Sequence, residues 1–133
     1  MTHLHFQPIQ GNATSIIRAI IQTEEVASLG DIRGDVRLMA EELVVNIVDY
    51  SGSDYLDVEM ERSEEQVTFR FRDGGVPFNP LEEEPPDITQ PWEQRRIGGL
   101  GIYMAMKSMD KVEYDYTDGE NVLTLSKGIK DLG

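Results

Sequence analysis

The stretch Asp73-Gly-Gly-Val-Pro-Phe-Asn-Pro80 decides the fold, together with Glu42-Leu-Val-Val-Asn46 before it and Gly98-Gly-Leu-Gly101 after it. The central stretch is an Asp-Gly-Gly turn directly after a predicted strand. The earlier one places an acid and an amide one helical turn apart, and the later one is a glycine-rich loop that opens a predicted helix. The interpretation rests on the three stretches occurring in this order, because each alone is common.

The central stretch predicts a site for a purine base. A carboxylate fixed at a strand end, such as that of Asp73, can accept a hydrogen bond from the exocyclic amine of adenine, a contact that guanine does not supply. Gly75 has no β-carbon, so the base can approach its backbone. The alternative is an ordinary strand that ends in a glycine turn.

The earlier stretch predicts a metal and phosphate site on a helix. At about 100° per residue, Asn46 lies about 40° from Glu42, and Asp49 lies about 20° from it on the other side. Glu41 lies about 140° from Asn46 and points elsewhere. An amide oxygen at Asn46 can bind a phosphate-bound Mg²⁺, and Glu42 can act as a general base near the γ-phosphate. The alternative is a solvated polar stripe.

The later stretch predicts a phosphate loop, since a flexible loop followed by a helix N-terminus binds anions. A Rossmann fingerprint would need a third glycine at the position of Met104, and no Gly-Lys-Ser/Thr of a Walker A motif occurs in the chain. Both common phosphate loops are therefore excluded, and a plain turn is the alternative.

In order and spacing the three stretches resemble the N box, the G1 box and the G2 box of the GHKL, or Bergerat-fold, ATPases. The chain is most similar to the bacterial anti-sigma-factor serine/threonine kinases, from about Phe6 to Lys127. The Val-Pro-Phe-Asn-Pro continuation after Gly75 is typical of that subgroup. One departure is Tyr50, which stands where the family frequently has His. With Asp49 before it, this difference bears on the metal site.

The resemblance implies a role for each candidate residue. These roles are general base for Glu42, Mg²⁺ and nucleotide ligand for Asn46, adenine site for Asp73 and Gly75, and phosphate loop for Gly99 and Gly101. Thr124 lies on the last predicted strand, where the family often places a hydroxyl near adenine. An ordinary strand threonine is the simpler interpretation, and Thr124 is kept as a candidate nucleotide contact.

The resemblance also implies a function. Such proteins bind ATP and Mg²⁺, bind and silence a sigma factor, phosphorylate a serine or threonine of a small STAS-domain antagonist, and usually form homodimers. Two alternatives compete. A histidine-kinase catalytic domain usually has Asn at the position of Glu42 and follows a phospho-acceptor helix. A non-catalytic module would use ATP only to set its shape.

Composition limits the classes of partner and the location. The chain has 133 residues, no cysteine, and a formal charge of −13. An acidic chain without a basic face does not bind the phosphate backbone of nucleic acids. No apolar run approaches the ~20 residues of a membrane span, and the N-terminus has no pattern of a secretory signal. We therefore expect a cytoplasmic protein that binds no membrane.

The pattern of elements predicts one domain over residues 1–133, with an α/β (α+β) two-layer sandwich fold. Its sheet is mixed or antiparallel, with helices on one face. A proline-rich loop over 79–97 reads as a functional lid or a disordered segment. The predicted strands are 3–8, 54–62, 66–73, 111–117 and 121–127. The first and third predicted helices are 13–29 and 100–108, and the second starts between residues 31 and 35 and runs to about residue 50.

Overall fold

The computed structural model describes residues 1–8, 10–82 and 99–129. Most of the predicted 79–97 loop therefore lies outside the described residues, and only a short 3₁₀ turn, Pro80–Glu82, represents it. The helices are α1 (Ala13–Ile21), α2 (Glu24–Ala27), α3 (Arg33–Asn46), which continues into a π-helical turn (Ile47–Ser51), and α4 (Gly99–Lys107). The strands are β1 (Thr2–Phe6), β2 (Leu56–Arg62), β3 (Gln66–Asp73), β4 (Lys111–Thr117) and β5 (Glu120–Gly128).

The strands form one five-stranded sheet in the order β1-β2-β3-β5-β4, and every neighbouring pair is antiparallel. The predicted sandwich of a sheet and a helical layer is confirmed, and of the two sheet types predicted the antiparallel one is observed. In the central pair of strands, Asp73 at the end of β3 lies opposite Asn121 at the start of β5. This register brings a carboxylate and an amide together at one edge of the core.

Strand alternation divides the sheet into an inner face against the helices and an outer face. On β2 and β3 every second residue is buried, including Val58, Phe69 and Phe71, as expected for a sheet covered on one side. Helix α3 supplies the matching surface, because its buried residues recur at helical spacing. They are Val36, Met39, Ala40, Leu43 and Val44.

Two turns have backbone conformations that suit their residues. Gly52 has a φ of 71° and ends the π-helical turn in the left-handed conformation that favours glycine. Asp118 and Gly119 have φ values of 54° and 77° and connect β4 to β5. Two consecutive positive φ angles are the geometry that an Asp-Gly hairpin turn favours.

The predicted single helix over 13–29 is wrong, because the helix is interrupted between α1 and α2. Thr23 adopts an extended backbone (φ −64°, ψ 152°), and its hydroxyl donates to the carbonyl of Ile20 at 2.7 Å. Helix α2 then ends at Ala27, two residues before the end of the predicted helix. Asn12 precedes α1 but does not cap it with its side chain, which instead donates to the carbonyl of Gln7 at 2.7 Å.

Candidate active site

The carboxylate of Glu42 lies against the first turn of α4. A β-carbon built on Gly101 would overlap with both carboxylate oxygens, so the glycine is what allows the side chain to lie there. Glu42 is half-buried on α3, and Gly101 is the third residue of α4. The structure thus brings together the predicted base and one of the predicted phosphate-loop glycines, which are far apart in sequence.

Glu41 points elsewhere, as the helical periodicity predicts. Its carboxylate accepts a hydrogen bond from Nε of Arg37, one turn earlier on the surface of α3, at 2.8 Å. Burial raises the pKa of Glu42, and the neighbouring charge of Glu41 raises it further. A carboxyl group with a raised pKa is a stronger base than an exposed one, which suits proton abstraction.

Asn46 is the last residue of α3 and is half-buried. No described residue forms a hydrogen bond with its side chain, so its amide oxygen is available to a ligand. The π-helical turn that follows winds more widely than an α-helix, and Asp49 on this turn is exposed. Glu42 and Asn46 both lie on α3 and share one face of it, as predicted. Asp49 lies on the π-helical turn, where the α-helical spacing of about 100° per residue does not apply.

A metal at this end of the site would need ligands besides the protein. Within residues 1–8, 10–82 and 99–129, no group of three or more His, Cys, Asp or Glu side chains is arranged to hold a metal ion. One amide oxygen, that of Asn46, fits a Mg²⁺ that takes most of its ligands from phosphate and water. The donor set is therefore compatible with a metal that arrives with a nucleotide.

Asp73 is the last residue of β3 and is buried, with 5% of its surface exposed. Its Oδ1 accepts hydrogen bonds from the backbone N–H of Gly75 at 2.9 Å and from Nδ2 of Asn121 at 3.1 Å. No donor among the described residues reaches Oδ2. Burial raises the pKa of Asp73, and the charge of Glu120 adds to the rise, while the two hydrogen bonds oppose it.

Gly75 is required by packing against the end of the helix that carries Glu42. A β-carbon at this position would overlap with the carbonyl group of Ser51, and the N–H of Val76 donates to that same carbonyl at 2.9 Å. The missing side chain therefore leaves room for Ser51. The predicted approach of a purine to the Gly75 backbone is a separate matter and stays a prediction.

The loop after the π-helical turn holds the rest of the Asp-Gly-Gly turn. The hydroxyl of Ser53 accepts the N–H of Gly74 at 2.9 Å. The ring of Tyr55 covers Gly74, where a β-carbon would come within 2.8 Å of it, and its hydroxyl donates to Glu120 at 2.6 Å. That hydrogen bond is the main reason why the pKa of Tyr55 rises to about 12, so the phenol stays a donor at neutral pH.

Asn121 belongs to the site, and the sequence analysis missed it. It is buried, with 6% of its surface exposed, and its Nδ2 donates to Asp73 and to the carbonyl of Val76 at 2.9 Å. A signal for it existed. Asn121 falls on the same alternating face as Leu123 and Leu125, and a polar residue on an apolar strand face has a buried partner.

Thr124 does not lie beside Asp73 in the structure. On β5 the inward residues are Asn121, Leu123 and Leu125, and Thr124 therefore lies on the outer face of the sheet. It pairs there with Arg70, whose Nε lies 3.4 Å from the threonine hydroxyl. Asn121, on the inner face, is the residue of this strand that contacts Asp73.

The described part of the glycine-rich stretch, Gly99 to Gly101, lies inside a helix where a loop was predicted. Helix α4 begins at Gly99, so Gly99 and Gly101 are in its first turn, and Gly98 falls outside the described residues. The first turn of a helix presents N–H groups without helical partners and favours negative charge. The first turn of α4 is therefore a place where negative charge is favoured, and the Glu42 carboxylate lies against it.

The open antiparallel sheet and the helical layer that covers one of its faces match the fold of GHKL-type ATP-binding domains. The sequence matches the histidine kinase-like ATPase domain family over residues 8–127. The chain belongs to this family. No curated protein matches the sequence, and no helix among the described residues is long and apolar enough to cross a membrane.

Three solved structures with a similar fold come from histidine kinases of low sequence identity. Histidine kinase AdeS of Acinetobacter baumannii superposes with a TM-score of 0.54 at 10% identity, over 98% of this chain and 69% of AdeS. The catalytic domain of histidine kinase ThkA, in two nucleotide-free forms, gives TM-scores of 0.56 and 0.53 at 14% and 15% identity. These matches cover 98% and 97% of this chain and 100% and 98% of theirs. At such identities the likeness concerns the fold.

Proposed function

We propose that this chain is an ATP-dependent serine/threonine protein kinase of the anti-sigma type. It binds Mg²⁺ and ATP, transfers the γ-phosphoryl group to a hydroxyl of a STAS-domain antagonist, and sequesters a sigma factor. The sequence resemblance to anti-sigma kinases supports the choice of partners, and the chemistry of the site supports the choice of acceptor.

The position of Glu42 carries the proposal. A serine or threonine hydroxyl must lose its proton as it attacks phosphorus, so a base near the transferred group accelerates the reaction. A neutral imidazole nitrogen attacks with a lone pair and needs no such base. The Glu42 carboxylate lies against the first turn of α4 beside Gly101, where phosphate oxygens are favoured. A base at that place favours a hydroxyl acceptor over a histidine.

The two ends of the site are spaced for a nucleotide. Glu42 contacts Gly101 at one end, and Ser51 contacts Gly75 beside Asp73 at the other. These contacts are nine residues apart on α3 and the π-helical turn that follows it, a span of roughly 13 Å if every residue had the 1.5 Å rise of an α-helix. An extended nucleoside triphosphate has a comparable length. Its base would lie at Asp73 and its phosphates at α4, with Asn46 between them.

The test is phosphoryl transfer from γ-labelled ATP to a purified STAS-domain candidate. We expect label on the candidate that survives acid and is lost in alkali, as a phosphoserine or phosphothreonine ester behaves. Acid-labile label would indicate a phosphohistidine and the histidine-kinase alternative. ATP binding without any label on the candidate would indicate the non-catalytic module.

The partners and the dimer are proposed on the resemblance, and they can be tested together. The chain should co-elute with a sigma factor, and a STAS-domain antagonist should displace that factor. Light scattering on the chain alone should give twice the mass of one protomer. An interaction with the antagonist but with no sigma factor would restrict the proposal to the kinase.

Substitution of Gly101 by alanine should inactivate the kinase while leaving the fold intact. The added β-carbon must displace the Glu42 carboxylate, the flexible end of a side chain, and moves no backbone. A displacement of about 1 Å costs roughly 10²-fold in rate, whereas alanine in place of glycine in a helix stabilises by about 0.5–1 kcal/mol. Transfer assays and thermal unfolding measure the two effects.

Gly34→Ala is the matched control for that variant. Gly34 is also helical, on α3, and a β-carbon there meets no atom within 4 Å. It should gain the same stability and keep full activity. If Gly101→Ala kept full activity as well, Glu42 would not need its present position.

Substitution of Asn46 by alanine should weaken nucleotide binding only when Mg²⁺ is present. A contact to a charged group contributes about 1.5–3 kcal/mol, so the loss should be about tenfold or more with Mg²⁺ and small with a chelator. Titration calorimetry under both conditions measures it. Val45→Ala, at the exposed neighbouring position, should bind normally. An equal loss in both conditions would mean that Asn46 contacts the nucleotide without a metal.

A further inference from the structure

The side chain of Asn121, near the start of β5, makes four hydrogen bonds of 3.1 Å or less, and its Nδ2 also lies 3.5 Å from the carbonyl oxygen of Gly75. Its Oδ1 accepts from the backbone N–H of Phe78 at 3.0 Å and from the hydroxyl of Tyr114. Its Nδ2 donates to Oδ1 of Asp73 and to the carbonyl of Val76. One amide side chain thus connects the adenine-site carboxylate to the loop after it and to β4.

The hydrogen-bond partners of Asn121 determine which of its two amide atoms is the oxygen and which is the nitrogen. A backbone N–H can only donate, so the Asn121 atom that faces Phe78 must be the oxygen. A carbonyl can only accept, so the atom that faces Val76 must be the nitrogen. The hydroxyl of Tyr114 faces the oxygen and therefore donates to it. The nitrogen is left to donate to Asp73.

This orientation determines which oxygen of Asp73 is free. Oδ1 accepts both the Asn121 amide and the Gly75 N–H. The terminal torsion of an aspartate is broad, and the Gly75 N–H alone could bond either oxygen. The second donor, Asn121, holds the plane of the carboxylate. Oδ2 then remains as an acceptor without a donor among the described residues.

We propose that the Tyr114–Asn121 pair positions the carboxylate of Asp73 and thereby sets the preference for a base with an exocyclic amine. The inference rests on the proposed function, because it assumes that Asp73 faces the base of a bound nucleotide. Tyr114 and Asn121 are positioning residues, since they act on the base only through Asp73.

Asn121 also helps to keep the carboxyl group of Asp73 ionised, which supports the same role. The amide of Asn121 holds the pKa of the carboxyl down against the rise that burial causes. Without that amide the carboxyl would protonate at a higher pH, and a protonated oxygen donates where adenine also donates. ATP affinity should fall as the pH is lowered and Asp73 takes up a proton, and we call this fall the acid limb of ATP binding. Loss of Asn121 should move the acid limb to higher pH.

The experiment compares ATP with inosine triphosphate, which has a carbonyl in place of the amine. Wild-type protein should prefer ATP, and Asp73→Asn should lose that preference. Asn121→Ala should reduce the preference about tenfold, the effect of one lost hydrogen bond to a charged group, and should move the acid limb of ATP binding. Tyr114→Phe, which removes one hydroxyl and keeps the ring, should reduce it less, by roughly threefold, as for a hydrogen bond between neutral groups.

Tyr116→Phe is the matched control. Tyr116 lies opposite Asn121 on β4, is 44% exposed, and makes no hydrogen bond through its hydroxyl to a described residue. It should leave the preference unchanged. If Asn121→Ala fails to fold, Tyr114→Phe decides alone.

Two failures are distinguishable. A wild-type protein that binds neither nucleotide, or both equally, contradicts the proposed function. A wild type that prefers ATP, with variants at Tyr114 and Asn121 that weaken both nucleotides equally and leave the acid limb in place, contradicts the positioning role alone.

Discussion

Replacement of Glu42 by glutamine should abolish phosphoryl transfer and leave the binding of Mg²⁺ and ATP nearly unchanged. Glutamine has the shape of glutamate, so the contact with Gly101 persists. It cannot take a proton from an attacking hydroxyl. Removal of a general base typically lowers a rate by about 10²–10⁴. Single-turnover transfer to the STAS-domain candidate measures the rate, and calorimetry measures nucleotide affinity.

Glu41→Gln is the control for that variant. Glu41 accepts from Arg37 on the surface of α3, outside the site, so this variant should transfer phosphate at close to the normal rate. Full activity of Glu42→Gln, together with an inactive Glu41→Gln, would show that the assigned face of the helix is wrong. Calorimetry on both variants separates loss of binding from loss of chemistry.

The pH profile provides a further check on Glu42. Burial and the charge of Glu41 raise the pKa of Glu42. A base must be deprotonated to act, so transfer should fall as the pH falls through this raised pKa. The acid limb should therefore lie above the ordinary range for glutamate. In Glu41→Gln the neighbouring charge is gone, and the limb should move to lower pH. A limb that does not move would mean that another group limits the rate.

Much of the arrangement could be predicted because it follows from local periodicity. The Asp-Gly hairpin and the bounds of β3 depend on neighbours in sequence. The separation of Glu42 from Glu41 needs only the 3.6-residue helical period, and Glu41 does face Arg37 on the surface. These features come from backbone geometry within one element, which a single sequence contains.

Other features could not be predicted, because they depend on register between distant elements. Thr124 has the right residue type, but its strand turns it to the outer face, and the inward position falls to Asn121. The contact between Ser51 and Gly75 brings a helix end to a turn that lies far along the chain. The π-helical turn after Asn46 changes the direction of Asp49. The pairing of strands and the packing of distant elements determine these positions, and the periodicity of a sequence does not include either of them.

Replacement of Asp73 by asparagine should weaken ATP binding strongly and leave a protein that is as stable as the wild type or more so. An asparagine oxygen in place of Oδ1 can keep both bonds, to Gly75 and to Asn121. Its amide nitrogen then stands where Oδ2 was and opposes the amine of adenine. Loss of a charge-assisted hydrogen bond, with two donors opposed, should cost roughly 2–4 kcal/mol, or about 30-fold to 900-fold in affinity. Calorimetry with ATP measures this loss.

The stability of the same variant follows from the sign of the pKa shift. The folded-state pKa of Asp73 is raised, chiefly by burial. Such a group favours the folded state below its unfolded pKa, and that contribution is lost as the pH rises through the folded pKa. At neutral pH the buried charge therefore lowers stability, and asparagine removes this cost. Thermal unfolding from pH 4 to 8 should show a flatter profile for Asp73→Asn. Unchanged ATP affinity in this well-folded variant would exclude Asp73 from the nucleotide site.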